Sequence, residues 1–491
     1  MSEPEQTRPQ SAKAKDRSFF ITIGITLFIM IFFGYLPPIG VMTPLGMKIF
    51  GVFIGCLFAW ARGELVWSSL ISFIVMAFHG AGTVVSNYAG AFGNQTSFLL
   101  IACLVFCYGL ERTGVFREIA LWIISVRFAQ KSPWHLMLMF FIAAAVLGML
   151  STNVIATAII LWALFYDVAK EIGAKPKSAY VAVVLCGIMV VGGSGSMIMP
   201  YNAFAIMGQG VARTVDPEFT LNFPVYLLIG LFINIVFIPL VYIIIRYVVR
   251  PKVEVTISKR EPYKMRFDHF QKWALFYLGA LIILMIVPSL LPAGNIIRII
   301  VNDKLGINGV FLGGTILMMF TRHNGKNLLD IADGLSHGVP WGLFMLVSSA
   351  LSMSANMMAD NTGILPTIIA ALTPIFANMS VIMLITCFTL LGLLVTNFIN
   401  DIVTITILLP IGYSFLTAIG GNPMILVALF VPATVQGCFM PSGSILGAMM
   451  HGNLEWMSPG LVYKFVAILE FILALAFIIV APILVTTGVF G

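Results

Sequence analysis

The chain is made almost entirely of apolar runs long enough to cross a bilayer, and two of these runs are interrupted at their centre by polar residues. Approximate spans fall at 19–36, 44–61, 66–88, 97–124, 179–207, 223–247, 273–291, 306–320, 341–358, 424–448 and 461–487. Each comes near or above the ~20 residues that a crossing helix needs. The stretches 136–169 and 381–418 differ: Ser151-Thr152-Asn153 breaks the first, and Thr396-Asn397 with Asn400-Asp401 breaks the second. Polar, broken backbone at membrane depth survives only where protein or water surrounds it. Each stretch therefore reads as a re-entrant helical hairpin that enters and leaves on one side.

Composition supports this class. Hydrophobic residues make up 60% of the chain and charged residues 10%, against about 25% charged in soluble domains. A soluble enzyme, a nucleic-acid binder and a disordered protein are excluded. Continuous apolar runs, rather than alternation, argue against a β-barrel. The expected fold class is an all-α polytopic membrane protein of about 11 transmembrane helices plus two re-entrant hairpins. The net charge of +7 reads as topology, because Lys and Arg favour cytoplasmic loops. Basic residues gather in a tail at 1–18 and in a linker at 246–272, which predicts a cytoplasmic N-terminus and an external C-terminus. Residues 19–245 would hold the first span and repeat 1, and 273–487 repeat 2. The six cysteines lie in apolar stretches and suggest no disulfide framework, and the histidines lack metal-site spacing, so no transition metal is expected. The polar start and the long first run argue against a cleaved signal peptide.

An internal repeat appears at an offset of 248 residues, which carries Asn153 onto Asp401 and Ser194-Gly195-Ser196 onto Ser442-Gly443-Ser444. Arg112-Thr113-Gly114 falls one residue from Asn361-Thr362-Gly363. The shared order is helix, hairpin with polar tip, short turn, then a broken helix. The first hairpin would open inward and the second outward, giving inverted repeats. Such repeats with broken helices point to a midplane binding site in a secondary transporter.

The residue types suit that use. A broken helix exposes N–H groups on one side, which favour anions, and C=O groups on the other, which favour cations. In repeat 1, Ser151, Thr152 and Asn153 would face Gly192, Gly193, Ser194, Gly195 and Ser196. In repeat 2, Asn397, Asn400 and Asp401 would face Pro441, Ser442, Gly443 and Ser444. Hydroxyl, amide and carbonyl oxygens are hard ligands appropriate to Na⁺, and glycines let backbone approach closely. An intramembrane carboxylate marks function by default. Asp401 could ligate a cation, carry a coupling proton, or pair with a donor for structure. Asp167, Glu111 with Arg112, and Glu470 read as helix-end or interface groups. The serine-protease-like Gly192-Gly193-Ser194-Gly195 and the Tyr166-Asp167 pair are weak signals, and no enzyme is expected.

Val339-Pro340-Trp341-Gly342-Leu343-Phe344, Gly192-Gly193-Ser194-Gly195-Ser196 with Pro200-Tyr201-Asn202, and Thr404-Ile405-Thr406-Ile407-Leu408-Leu409-Pro410 together resemble motifs of the divalent anion:sodium symporter family, within the ion transporter superfamily. The resemblance implies an elevator-type homodimer carrying a di- or tricarboxylate with Na⁺ or by exchange, and needing no cofactor beyond a coupling ion; the lean loops and the lack of a targeting segment suggest a bacterial plasma membrane. It implies a substrate site of Thr152, Asn153, Ser196, Asn400, Asp401, Pro441, Ser442 and Ser444. It implies one cation site at Ser151, Asn153, Gly193 and Gly195, and a second at Asn397, Asp401, Ser442 and Gly443. The family has Ser-Asn-Thr at both tips, whereas Thr152-Asn153-Val154 and Asn400-Asp401-Ile402 stand here. An Asn-Asp tip also resembles the arsenite-efflux and sodium/proton antiporter branches. An H⁺-coupled carrier, a cation/proton antiporter or an oxyanion efflux carrier using Asp401 is the alternative.

Overall fold

The computed structural model describes residues 8–151, 153–257, 261–292, 294–376, 378–441 and 443–487. The protein is an all-α polytopic membrane protein. Among the described residues, ten helices are long and apolar enough to cross a membrane. The only strands among them, Arg322–His323 and Lys326–Asn327, form one short antiparallel ladder.

Helix starts follow local chemistry. Thr43, Ser132, Ser178, Asn222, Ser380 and Asn422 each cap a helix by accepting a backbone N–H, and Pro44, Pro133 and Pro423 follow three of these caps. A proline at the first helical position sacrifices an N–H that has no intrahelical partner anyway. Asp268 and Gln271 close a capping box at the start of His269–Leu290.

The chain divides into two compact units. The first comprises residues up to Ser97 with Pro340–Ala377. There Pro44–Ala61 packs on Arg8–Phe32, and Trp341–Met358 packs on Leu65–Phe78 and Val84–Phe92. Gly46 has no room for a side chain, since a Cβ would lie 2.0 Å from the Thr362 carbonyl oxygen.

The second unit comprises Phe98–Val339 with Asn378 onward. It contains both hairpins, Pro133–Leu150 with Val154–Glu171 and Val381–Val395 with Asp401–Ala418. It also contains both broken helices, Ala179–Ser196 with Ala203–Ala212 and Pro423–Thr434 with Ile445–Gly452. A long helix follows each, Phe223–Ile243 and Pro459–Thr487. The first halves of the broken helices are its buried centre. Each packs on both limbs of its own hairpin and on both long helices.

Small residues allow the tightest of these contacts. A Cβ on Gly148 would lie 2.4 Å from the Gly192 carbonyl oxygen, and one on Gly195 would lie 2.5 Å from that of Ala145. Packing of this kind replaces the hydrophobic drive that helices lack inside lipid.

Three sequence expectations need correction. The span 66–88 is two helices, Leu65–Phe78 and Val84–Phe92, separated by a turn in which Gly80 and Gly82 have φ of +89° and +70°. The span 97–124 divides into Gln95–Arg112 and Val115–Ser125. A helix at Ile364–Phe376 was not expected. The last two corrections are one feature seen in both repeats. Gly114 and Gly363 turn the chain at φ of +73° and +65°, and the Thr113 and Thr362 hydroxyls accept from the N–H of Val115 and Ile364. The near-repeat of Thr-Gly therefore marks matching helix breaks.

Candidate functional site

At the tip of hairpin 2, residues 396–400 separate the limbs, and the broken helix beside it is interrupted from 435 to 444. These two interruptions meet. The Asn397 amide nitrogen donates to Glu470 Oε2 at 2.8 Å and to the Leu393 carbonyl at 2.9 Å, and its Oδ1 accepts from the Phe439 N–H at 2.8 Å. Glu470 Oε1 accepts from the Cys438 N–H at 3.2 Å. One carboxylate on the last helix thus holds the tip and the interruption together.

Asp401 begins the second limb and is buried. Its Oδ1 lies 2.7 Å from the Thr396 hydroxyl, which lies 2.5 Å from the Thr434 carbonyl oxygen. A hydroxyl has one hydrogen, so the two acceptors share it or compete for it. A protonated Asp401 carboxyl that donates to the hydroxyl would free that hydrogen for the Thr434 carbonyl. Gly437 must lack a side chain here: its Cβ would lie 2.5 Å from the Thr396 carbonyl oxygen and 3.0 Å from Asp401 Oδ1. Ser444 Oγ donates to the Gly437 carbonyl at 2.6 Å, and a Cβ on Gly443 would lie 2.8 Å from the Asn397 carbonyl oxygen. Asn397, Asp401, Gly443 and Ser444 are therefore brought together. Asn400 instead caps its own limb through the Ile402 N–H, and Pro441 is exposed.

The tip of hairpin 1 is simpler. Ser151 is buried and its hydroxyl donates to Glu111, while the Asn153 N–H donates to Ser151 Oγ at 3.1 Å. Asn153 is exposed and caps Val154–Glu171 through the Ala156 N–H. Glu111 and Arg112 do not pair with each other: Arg112 pairs with Asp333, and Glu111 belongs to this tip. Thr152 and Ser442 lie outside the described residues.

The glycine-rich segment differs from its expected role. Residues 192–196 are still helical, and the interruption runs from 197 to 202. Gly195 serves contact with hairpin 1, Gly193 faces Gln436, and the Ser196 hydroxyl donates to the Gly193 carbonyl at 2.8 Å. In repeat 2, by contrast, Gly443 and Ser444 lie at the far end of the interruption, with Ser444 as the cap of Ile445–Gly452. The matching cap in repeat 1 is Asn202. The two Ser-Gly-Ser triplets are thus not structural equivalents. The helix starts pair Ala179 with Pro423, Ala203 with Ile445 and Phe223 with Pro459, so the sequence offset shrinks after the hairpins.

Three buried groups escaped the sequence reading. Glu470 was read as an interface group, although a lone carboxylate in the apolar run 459–487 was its signal. Asn234 holds the same place in Phe223–Ile243 that Glu470 holds in Pro459–Thr487. Its amide nitrogen donates to the carbonyls of Gly230 at 3.0 Å and Ser194 at 3.3 Å. Gln436 joins the repeats. In the amide orientation that pairs both its ends, it accepts from the Ser194 N–H at 3.0 Å and donates to the Val190 carbonyl at 3.2 Å. Those two groups stand four residues apart within the helix Ala179–Ser196.

Known proteins place this architecture. The chain is 22% identical over 384 residues, 74% of its length and 71% of the relative's, to a sodium-dependent dicarboxylate transporter, SdcS, of Staphylococcus saprophyticus. Its fold is similar to the YdaH transporter of Alcanivorax borkumensis, with a TM-score of 0.59 and 15% identity, over 84% of this chain and 89% of that one. It is also similar to MtrF of Neisseria gonorrhoeae, described within a class of antimetabolite efflux pumps, with a TM-score of 0.58 and 13% identity, over 94% and 97%. The profile of the citrate transporter family, CitMHS, matches residues 56–430. The chain belongs to that citrate transporter family and is a multi-pass membrane transporter, not an enzyme.

Proposed function

We propose that this protein is a secondary carrier that moves a di- or tricarboxylate of the succinate, malate and citrate class across a bacterial plasma membrane. Transport is coupled to a cation and uses an elevator motion in which hairpins and broken helices move as one body within a homodimer. The observation that carries the reading is the meeting of hairpin tip 2 with the interrupted helix beside it, where buried Asp401 lies against the Thr396 hydroxyl and buried Glu470 accepts from the Asn397 amide and the Cys438 N–H. Family membership and the sodium-dependent dicarboxylate relative support the substrate class and Na⁺ coupling.

The arrangement suggests a division of labour. Glu470 meets only donors and stays an acceptor that fixes the tip. Asp401 lies against a hydroxyl and the oxygen-lined interruption, where a cation or a proton can neutralise it. Neutralisation removes the repulsion between Asp401 and an incoming carboxylate. Loading the cation first would then permit substrate entry at this tip, with the exposed Asn153 offering its amide at the other.

A second reading rests on the Thr396 contacts. A protonated Asp401 would free the hydroxyl hydrogen for the Thr434 carbonyl, which favours H⁺ as the coupling ion, in a symporter or in an antiporter or oxyanion efflux carrier. Uptake of labelled succinate, malate and citrate into proteoliposomes decides among these. Separate arms apply an inward Na⁺ gradient, an inward H⁺ gradient, or internal unlabelled substrate alone. Na⁺-driven uptake supports the first reading and H⁺-driven uptake the second, whereas uptake needing only internal substrate makes the protein an exchanger. No carboxylate transport in any arm would overturn the substrate assignment.

A further inference from the structure

A cavity of about 450 Å³ lies at the foot of broken helix 1, away from both hairpin tips. Three parts of the second unit form it: the start of Ala179–Ser196, the linker after Val249, and the beginning of the last helix. Lys175, Arg250, Lys252 and Lys464 line it, with one acid, Glu254. Lys175 Nζ lies 4.0 Å from Glu254 Oε2, and both side chains are largely exposed, so that pair neutralises little of the charge. The cavity therefore keeps an excess of positive charge.

The linker is held over this cavity. Arg250 turns the chain at φ of +43°, and its Nε donates to the Tyr247 carbonyl at 2.7 Å. Further along, the Thr256 N–H donates to the Ile172 carbonyl at 3.2 Å. The cationic side chains thus converge from separate elements on one space and are not merely neighbours along a tail.

An apolar track leads to the same place. Leu228, Ile235, Ile243 and Tyr247 are exposed large hydrophobic residues at helical spacing along Phe223–Val249. Val249, at the end of this helix, lines the cavity. An apolar face that ends in a basic cavity has the two chemistries of an anionic phospholipid, with acyl chain along the helix and phosphate in the cavity. A free anion would use the cavity but gain nothing from the track.

We propose that this cavity binds a phosphate-class anion, and that the source of that anion is the headgroup of an anionic phospholipid. The inference stands apart from the transport reading, since it uses none of the groups at the hairpin tips.

The test is calorimetric titration of the full-length protein in detergent with dihexanoyl-phosphatidylglycerol, dihexanoyl-phosphatidylcholine or inorganic phosphate. Phosphatidylglycerol is expected to bind at least about tenfold more tightly than the other two. Each cation near the surface contributes about fivefold in affinity. The Arg250→Gln/Lys464→Gln variant should therefore lose about 25-fold for phosphatidylglycerol. Lys175→Gln/Lys252→Gln, at other exposed positions in the cavity, should lose a similar factor. Arg322→Gln/Lys326→Gln, outside it, should bind as the parent does. Equal binding of phosphatidylglycerol and phosphate, lost in the first variant, keeps the anion site but overturns the lipid as its source. Unchanged binding in both cavity variants, an equal loss in the outside variant, or no preference over phosphatidylcholine overturns the site.

Discussion

The two repeats share an order of elements but not a chemistry. Both tips cap their second limb with an amide, Asn153 and Asn400, but the residue after the cap is Val154 at tip 1 and the buried carboxylate Asp401 at tip 2. The long helix after broken helix 1 presents Asn234 to its neighbour, and the one after broken helix 2 presents Glu470. The interruption runs from 197 to 202 in the first and from 435 to 444 in the second. The two similar frames thus place their buried polar groups differently, and the proposed cation coupling rests on the half in which Asp401 and Glu470 stand at a hairpin tip. Tip 1 has an acid of its own, Glu111, which accepts from the Ser151 hydroxyl, so the halves differ in where the carboxylate stands: on the neighbouring helix Gln95–Arg112 at tip 1, and at the start of a hairpin limb at tip 2.

The most damaging way to break this difference is to make tip 2 resemble tip 1. Asp401→Asn should lower coupled uptake by roughly 100-fold, the scale of about 3 kcal/mol for unpairing a buried charged site. Initial-rate uptake under each ion gradient measures it. Unchanged uptake would show that the carboxylate is not the coupling group. Glu470→Gln removes the charge but keeps the shape, so that Asn397 and the Cys438 N–H lose an ionised acceptor. A hydrogen bond to a charged group contributes about 1.5–3 kcal/mol, and a drop of roughly tenfold or more in uptake is expected. Asn234→Ala, at the matching place, removes only neutral bonds and should shift stability by about 1 kcal/mol, read from thermal melting with uptake retained. Equal losses in Glu470→Gln and Asn234→Ala would erase the proposed asymmetry.

Smaller effects sharpen the same comparison. Gly195→Ala pushes a methyl toward the Ala145 backbone, and Gly437→Ala pushes one toward the Thr396 backbone, each starting from 2.5 Å. Overpacking of this kind costs about 1–3 kcal/mol. Only the second should also alter dependence on cation concentration, because only Gly437 borders Asp401. Gly192→Ala is the control, since its Cβ would meet nothing closer than 3.7 Å, and its melting temperature should barely move. Asn153→Ala removes a helix cap worth about 1 kcal/mol, the least of the expected losses in stability. A change in the apparent Km for carboxylate would add a binding role to that cap.

What the sequence revealed and what it hid follow from the same physics. The hairpins were legible because polar residues cannot interrupt an apolar run by accident, and Ser132-Pro133 or Asn422-Pro423 announce a helix start in any environment. The helix Ile364–Phe376 was missed because its 13 residues fall short of a crossing, although Thr362-Gly363 repeats the turn at Thr113-Gly114. The serine triplets misled because identity of residues at a fixed offset ignores the lengthening of one interruption. Glu470 and Gln436 were hidden for another reason: each is a single polar residue in an apolar run, and only tertiary contact tells which backbone it reaches.

Gln436 also bears on how the halves can be related. It stands two residues beyond its helix end at Thr434, and the residue two beyond Ser196 is Ile198, which has no amide to return the contact. The cross-repeat contact is therefore one-way. An ancestral pair of identical halves carrying isoleucine at this place would have had no such strut, and a pair carrying glutamine would have had two. Once a single glutamine entered the helix of the other half, the halves ceased to be interchangeable. Pairing two copies of either one would leave the strut absent or doubled. A single side chain thus makes each half specific for the other.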